Sequence, residues 1–267
     1  MNKTIIRKLS GSYNLLYFNT MSLFLDGSMG FDPNDYVSFT FFAGYMAMLA
    51  ASVFFFFERS RVADEWKTSM LVSGLITGIA AVHYYYMRDF YAAGNGSPVV
   101  LRYVDWTLTV PLMCVEFYLI TKKAGGTKSI LYKLILASVA MLVTGYIGEA
   151  FYADQAVSWV WGALSGAAYF YIVWMVWKGD VAKLANNAGG AVAKANGALA
   201  KFVIIGWGIY PIGYILGTAG GFFGMDLGIA ANEEVLNLCY NLADAINKIG
   251  FGLVIYSLAI SSETEAA

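Results

Sequence analysis

The chain has 267 residues, enough for one large domain or two small ones. Hydrophobic residues make up 59%, charged residues only 13%, and mean hydropathy is +0.59, against about 45–50% apolar and 25% charged in soluble domains. That excludes a disordered or coiled-coil chain, and a net charge of −1 argues against nucleic acid as the partner. Cys114 and Cys239 both lie in apolar stretches, so neither a disulfide framework nor a zinc site is expected, and both read as small buried hydrophobes.

Apolar segments recur with turn-like breaks, each near the ~20 residues that carry a helix across a bilayer's hydrocarbon core. They fall at about 36–57, 66–91, 98–121, 127–152, 156–177, 198–220 and 230–260. These runs are apolar on nearly every side and lack strand-like alternation, which favours helices over a barrel. The expected fold is an all-α membrane protein, a seven-transmembrane-helix bundle over 36–261. It is preceded by an N-terminal segment, 1–35, and followed by a short tail, 262–267. Residues 92–98 form a turn-rich loop, and 178–197, rich in Ala, Gly and Asn with scattered Lys, reads as a solvated loop or the frayed start of the sixth span.

Orientation follows the basic residues. Arg59, Arg61, Lys67, Lys122, Lys123, Lys128, Lys133, Lys178, Lys183, Lys194 and Lys201 cluster between spans one and two, three and four, and five and six. The opposite side holds only Arg88. The lysine-rich side is therefore cytoplasmic, with the N-terminus outside and the C-terminus inside. Lys3, Arg7 and Lys8 oppose this unless residues 1 to 20 are a signal sequence; no clear A-x-A site follows them, so cleavage stays open.

Arg102, Asp105, Glu116, Asp244 and Lys248 lie inside spans, where each charge costs at least about 2.5 kcal/mol on insertion scales. In the third span, Asp105 and Glu116 stand only about 20° apart around a helix and about 16.5 Å apart along it, with Thr109 between them. One face thus carries two carboxyl groups at different depths, the layout of a proton path with two stations. In the seventh span, Asp244 and Lys248 share a face at i, i+4. A lysine at that depth is neutralised, paired or covalently modified. A Schiff base would remove the ammonium and leave one ionisable N–H beside carboxylates; the alternative is a plain Lys–Asp pair that locks packing.

These residues resemble the microbial rhodopsins, and among them the proteorhodopsin-like light-driven proton pumps. The resemblance rests on Arg102-Tyr-Val-Asp105-Trp106 with Thr-Val-Pro111 and Glu116, on Trp207-Gly-Ile-Tyr210-Pro211, and on Asp244-Ala-Ile-Asn-Lys248, and it covers all seven spans. It implies all-trans retinal bound to Lys248 as a protonated Schiff base, and outward proton transport that builds a proton-motive force. Asp105 would be primary counterion and proton acceptor, Asp244 second counterion, Glu116 cytoplasmic donor, and Arg102 organiser of the outer half-channel. Asp105, Thr109 and Glu116 resemble the proton-pump triplet rather than that of sodium or chloride pumps.

The same resemblance sets His83 beside the counterion, where it would tune Asp105 and reach towards a neighbouring protomer; its duller reading is a satisfied packing residue. Glu149 joins the release path or is simply a solvated helix-end acid. Trp106, Trp207, Tyr210 and Tyr214 would flank the polyene, Tyr84 and Tyr210 would hydrogen-bond Asp244, and Met113, Met141, Gly145 and Ser165 would line the ring end. Met113, an apolar residue, implies green absorption. Gly162 either serves close helix packing or opens a side window through which a hydroxylated carotenoid antenna docks. The family further implies a ring-like homo-oligomer, most often a pentamer, in a bacterial cytoplasmic membrane. The competing function is a sensory photoreceptor signalling to a membrane partner. Glu116 as donor and the lack of a visible signalling domain favour pumping, and a retinal-free transporter or receptor is the third reading.

Overall fold

The computed structural model describes residues 34–222 and 232–266, with side chains to 261. The N-terminal segment expected at 1–35 falls almost wholly outside them. Nine α-helices, with a 3₁₀ turn at Lys122–Ala124 and a π segment at Phe202–Gly206, make up the helical structure of the described residues: α1 (Tyr36–Glu58), α2 (Lys67–Ala92), α3 (Val99–Thr121), α4 (Lys128–Phe151), α5 (Ser158–Trp177), α6 (Asp180–Ala188), α7 (Gly190–Lys201), α8 (Ile209–Gly217) and α9 (Glu233–Ala266). They group into seven stretches long and apolar enough to cross a membrane, because α5 runs on into α6 and α7 into α8.

Local chemistry sets several ends. Asp35 caps α1, its carboxylate accepting from the amides of Val37 and Ser38. Gly125 closes the turn after α3 at a φ of 98°, a left-handed conformation that favours glycine. In the exposed turn before α2, the Lys67 ammonium holds the Asp64 carboxyl below the usual carboxylate range.

The stretch 178–197 is not a loop. Apart from a turn at Lys178 and Gly179 it is helical, broken at Gly189, whose φ is 67°, while Gly190, which opens the next helix, has a φ of 49°. Alanine favours helix strongly, and Val181, Ala182 and Ala185 are buried against the bundle while Lys183 and Lys194 stay exposed. The fifth and sixth spans become 31 and 28 residues long. Both exceed the ~20 residues a bilayer requires, so their lysine-bearing ends project from it. The last helix likewise continues to Ala266, through most of the stretch read as a tail.

One further irregularity positions the site. Between α7 and α8 the backbone widens into a π-turn, Phe202–Gly206, in which the Trp207 amide donates to the Phe202 carbonyl at 2.9 Å. The Tyr169 hydroxyl from α5 lies 3.0 Å from both the Val203 and Ile204 carbonyls that the turn exposes. Extra residues of this kind re-aim the side chains that follow; here those are Trp207 and Tyr210.

Candidate functional site

Side chains of α3 and α9 reach each other across the bundle centre and bring together residues far apart in sequence. Lys248 Nζ lies 2.7 Å from Asp105 Oδ2 and 3.1 Å from Asp244 Oδ1. All three side chains are sealed from solvent: Lys248 is 3% exposed, Asp244 1% and Asp105 0%. A buried cation between two buried anions is the arrangement that lets charge persist in an apolar interior.

The two carboxyl groups are held unequally. Asp244 accepts from the Tyr84 hydroxyl at 2.8 Å, the Tyr210 hydroxyl at 2.5 Å and the Trp106 indole N–H at 3.1 Å. Asp105 has the amine at Oδ2, while its Oδ1 has no hydrogen-bond partner among the described residues. His83 Nδ1 stands 3.7 Å from that Oδ1 and 2.9 Å from the Ile79 carbonyl. The Thr109 hydroxyl is spent on the Asp105 carbonyl oxygen, at 2.9 Å. Asp244 is therefore fixed in place, and Asp105 keeps an open lone pair.

Arg102 lies one turn before Asp105 on α3 and is 1% exposed. It donates to Asn237 Oδ1 at 2.9 Å, to Asn241 Oδ1 at 2.8 Å and to the Tyr84 hydroxyl at 3.4 Å, and it stacks on the rings of Phe41 and Tyr240. Neither asparagine was singled out from the sequence. A signal was present: Asn237, Asn241, Asp244 and Lys248 follow a 4-3-4 spacing that puts polar groups on one stripe of α9.

On the other side of the centre, Glu116 is fully buried on α3. Ser73 on α2 donates to its Oε1 at 3.3 Å, and its Oε2 has no partner among the described residues. Phe117 and Phe251 pack edge to face beside it, their centroids 5.7 Å apart. Ser73 too escaped the sequence reading, since a lone serine in a span carries no signal.

From Lys248 a mainly apolar cavity of about 690 Å³ runs between α3, α4, α5 and α8. That size suits one small-molecule ligand. Trp106, Met113, Met141, Gly162, Ser165, Trp207, Tyr210, Tyr214 and Glu149 are among the side chains and backbone that line it. Gly145, which the cavity's lining does not include, packs beneath it: a Cβ there would stand 3.0 Å from the Tyr103 hydroxyl and 3.2 Å from Ser165 Oγ. The Ser165 hydroxyl donates to the Met141 carbonyl at 2.8 Å. A Cβ on Gly162 would stand 2.6 Å from Tyr214 Cε1. Tyr214 is itself fixed by donation to the Ser158 carbonyl at 2.7 Å. Glu149 is not a freely solvated helix-end acid: the Tyr103 hydroxyl donates to it at 2.7 Å, and Tyr103 packs on Trp106.

Comparison with known proteins agrees with this architecture. Residues 35–262 match the family model of the bacteriorhodopsin-like proteins. The green-light absorbing proteorhodopsin of Gamma-proteobacterium EBAC31A08 is 43% identical over 244 residues, covering 91% of this chain and 94% of that one. The crystal structure of blue light-absorbing proteorhodopsin from Med12 superposes with a TM-score of 0.69 at 42% identity, over 85% of this chain and 100% of that chain. Xanthorhodopsin, described as a light-driven ion pump with dual chromophore, gives a TM-score of 0.74 at 28% identity, over 88% of this chain and 98% of that one. Since these matches run from the first helix to the last, and onto proteins of nearly the same extent, the chain belongs to the bacteriorhodopsin-like family, the microbial rhodopsins.

Proposed function

We propose that this protein is a light-driven outward proton pump, a translocase without a metabolic substrate, carrying retinal on Lys248. The observation that carries this reading is one buried primary amine on an apolar cavity, with Asp105 and Asp244 in contact with it and a further buried carboxyl group, Glu116, three turns beyond Asp105 on α3. The residues present fit retinal: Lys248 would hold it through Nζ, and Trp106, Trp207 and Tyr210 would flank it, with Met141, Ser165 and Tyr214 further along and Gly145 behind them. When bound, it supplies absorption of visible light and a photoisomerisation that turns the Lys248 nitrogen.

The protein's own groups then set the direction. Asp105 and Asp244 balance the positive charge on Lys248 Nζ in the dark. Asp105, with its open oxygen, takes the proton from Nζ, while Asp244 stays fixed by Tyr84, Tyr210 and Trp106. Glu116 returns a proton to Nζ from the opposite side, where Ser73 orients its carboxyl group. General acid–base groups placed in this way contribute about 10²–10⁴ in rate. Arg102 keeps the outer half positive and His83 steadies Asp105.

Because Arg59, Arg61, Lys122, Lys123, Lys128 and Lys133 mark the end of the bundle nearer Glu116, that end is cytoplasmic and Asp105 lies on the outer side. The membrane is the cytoplasmic membrane of a bacterium, and a pentamer is the assembly we favour. Met113 beside the ligand supports green absorption. The lack of a side chain at Gly162, which otherwise makes room for Tyr214, would let a hydroxylated carotenoid approach there.

The test is to illuminate cells or vesicles in unbuffered salt. Acidification of the medium, abolished by a protonophore, is expected. No pH change with an intact photocycle would favour the sensory reading, and a reversed or sodium-dependent change would overturn the ion or its direction.

A further inference from the structure

The cavity beside Lys248 opens on one flank of the bundle. Trp106, Met113 and Trp207 line it as buried side chains. Phe170 on α5 and Ile212 on α8 line it too, yet Phe170 is 67% exposed and Ile212 59%. Residues that border a cavity and also face outward stand at its mouth. Gly166, one turn before Phe170 on α5, leaves that mouth unobstructed: a Cβ there would meet no atom within 4 Å beyond its own stretch of helix. At Gly162, a turn earlier, the same atom would stand 2.6 Å from Tyr214 Cε1. Gly166 follows Ser158, where α5 begins, by about 12 Å of helix and precedes Lys178 by about 18 Å. The mouth therefore faces the middle of a hydrocarbon core about 30 Å thick rather than water.

We infer that this mouth, between α5 and α8, is the port through which retinal reaches Lys248 from the bilayer. The inference rests on the reading of Lys248 as the retinal site and adds the route to it. Retinal is a long apolar chain with one aldehyde, so it gathers in hydrocarbon rather than in water. The rim matches that chemistry with the ring of Phe170, the alkyl side chain of Ile212 and the small residues Gly166 and Ala167. The routes along the bundle axis do not. Towards one end lies Arg102, 1% exposed and bonded to Asn237 and Asn241; towards the other lie fully buried Glu116 and the packed rings of Phe117 and Phe251. Widening the mouth needs only rotation of two exposed side chains, a motion of picoseconds to nanoseconds. The axial routes require buried hydrogen bonds to break. On arrival Lys248 Nζ bonds to the aldehyde carbon. Overall, the aldehyde oxygen leaves as water with two of the three ammonium protons. The third proton and the positive charge stay on Nζ, beside Asp105 and Asp244.

The test uses the full chain freed of retinal, in phosphatidylcholine vesicles, with all-trans retinal supplied in the lipid. Growth of the visible band should follow the ratio of retinal to lipid, not the concentration of retinal in the water. Gly166→Phe fills open space and replaces a residue unfavourable in helices, so the fold should hold. It should slow band growth at least about tenfold, the effect of a barrier raised by about 1.4 kcal/mol. The position and final height of the band should match the parent's. Phe170→Ala and Ile212→Ala, which trim the rim, should speed band growth. Growth at the parent rate in Gly166→Phe, or a parent rate set by aqueous retinal at fixed lipid loading, would overturn the inference. If Gly166→Phe formed no pigment, the rim variants decide, and unchanged rates in both would overturn it. A coloured parent with unaltered rates in all three variants would sink the port and leave retinal on Lys248 standing. A parent that stayed colourless would take down the retinal reading and the port with it.

Discussion

Lys248 Nζ and Asp105 Oδ2, 143 positions apart in sequence, meet at 2.7 Å with both side chains out of reach of solvent. Removing one partner of a buried ion pair typically costs about 3–5 kcal/mol. Asp244, 3.1 Å from the same nitrogen, remains after Asp105→Asn and limits that loss. The variant should therefore still fold and take up retinal. With less negative charge beside Lys248 Nζ, its visible band should lie to the red of the parent's, and light-driven acidification should vanish. An absorption spectrum and a pH electrode check both.

Glu116→Gln leaves the Lys248 surroundings intact and removes the buried carboxyl further along α3. Transfer from Lys248 Nζ to Asp105 should keep its parent rate, whereas return of the proton to Nζ should slow by about 10² or more. Flash photolysis resolves the two steps. Ser73→Ala should slow only the second, and by less, because it deprives Glu116 of one hydroxyl donor and leaves Ser69 and the acid in place.

Gly206, at the end of the π-turn, lies so close to Asn247 that a Cβ there would stand 2.7 Å from Asn247 Cγ. Gly206→Ala should lower stability by about 1–3 kcal/mol through overpacking. Since Asn247 adjoins Lys248, the visible band should shift as well. Truncating the neighbour, in Gly206→Ala with Asn247→Ala, should recover part of the stability. Thermal bleaching of the pigment measures both.

Tyr210→Phe removes a 2.5 Å hydrogen bond to Asp244. Hydrogen bonds to charged groups contribute about 1.5–3 kcal/mol. Tyr84 and Trp106 still donate to Asp244, so the fold should hold while thermal bleaching comes earlier and the band moves. Tyr84→Phe should act in the same direction and also release one contact of Arg102.

The seven spans were legible in the sequence because bilayer thickness sets a length and a composition together. The polar groups within them were legible because each is expensive there. What escaped had weaker signals. The 178–197 stretch carries lysines and asparagines that look like loop, yet its alanines continue two helices beyond the apolar region. Asn237 and Asn241 carry no charge to mark them, and only their register with Asp244 and Lys248 on α9 connects them with Arg102. The π-turn leaves no compositional mark; its trace is Gly206, whose missing side chain makes room for Asn247.

The central claim is that Lys248 carries the chromophore. Purified protein should be mixed with all-trans retinal, reduced with borohydride and digested, and its peptides weighed. A visible band that is absent in Lys248→Ala, and a retinyl mass on the Lys248 peptide alone, are predicted. Colour persisting in Lys248→Ala, a retinyl group on another lysine, or a colourless parent with this amine free would contradict it.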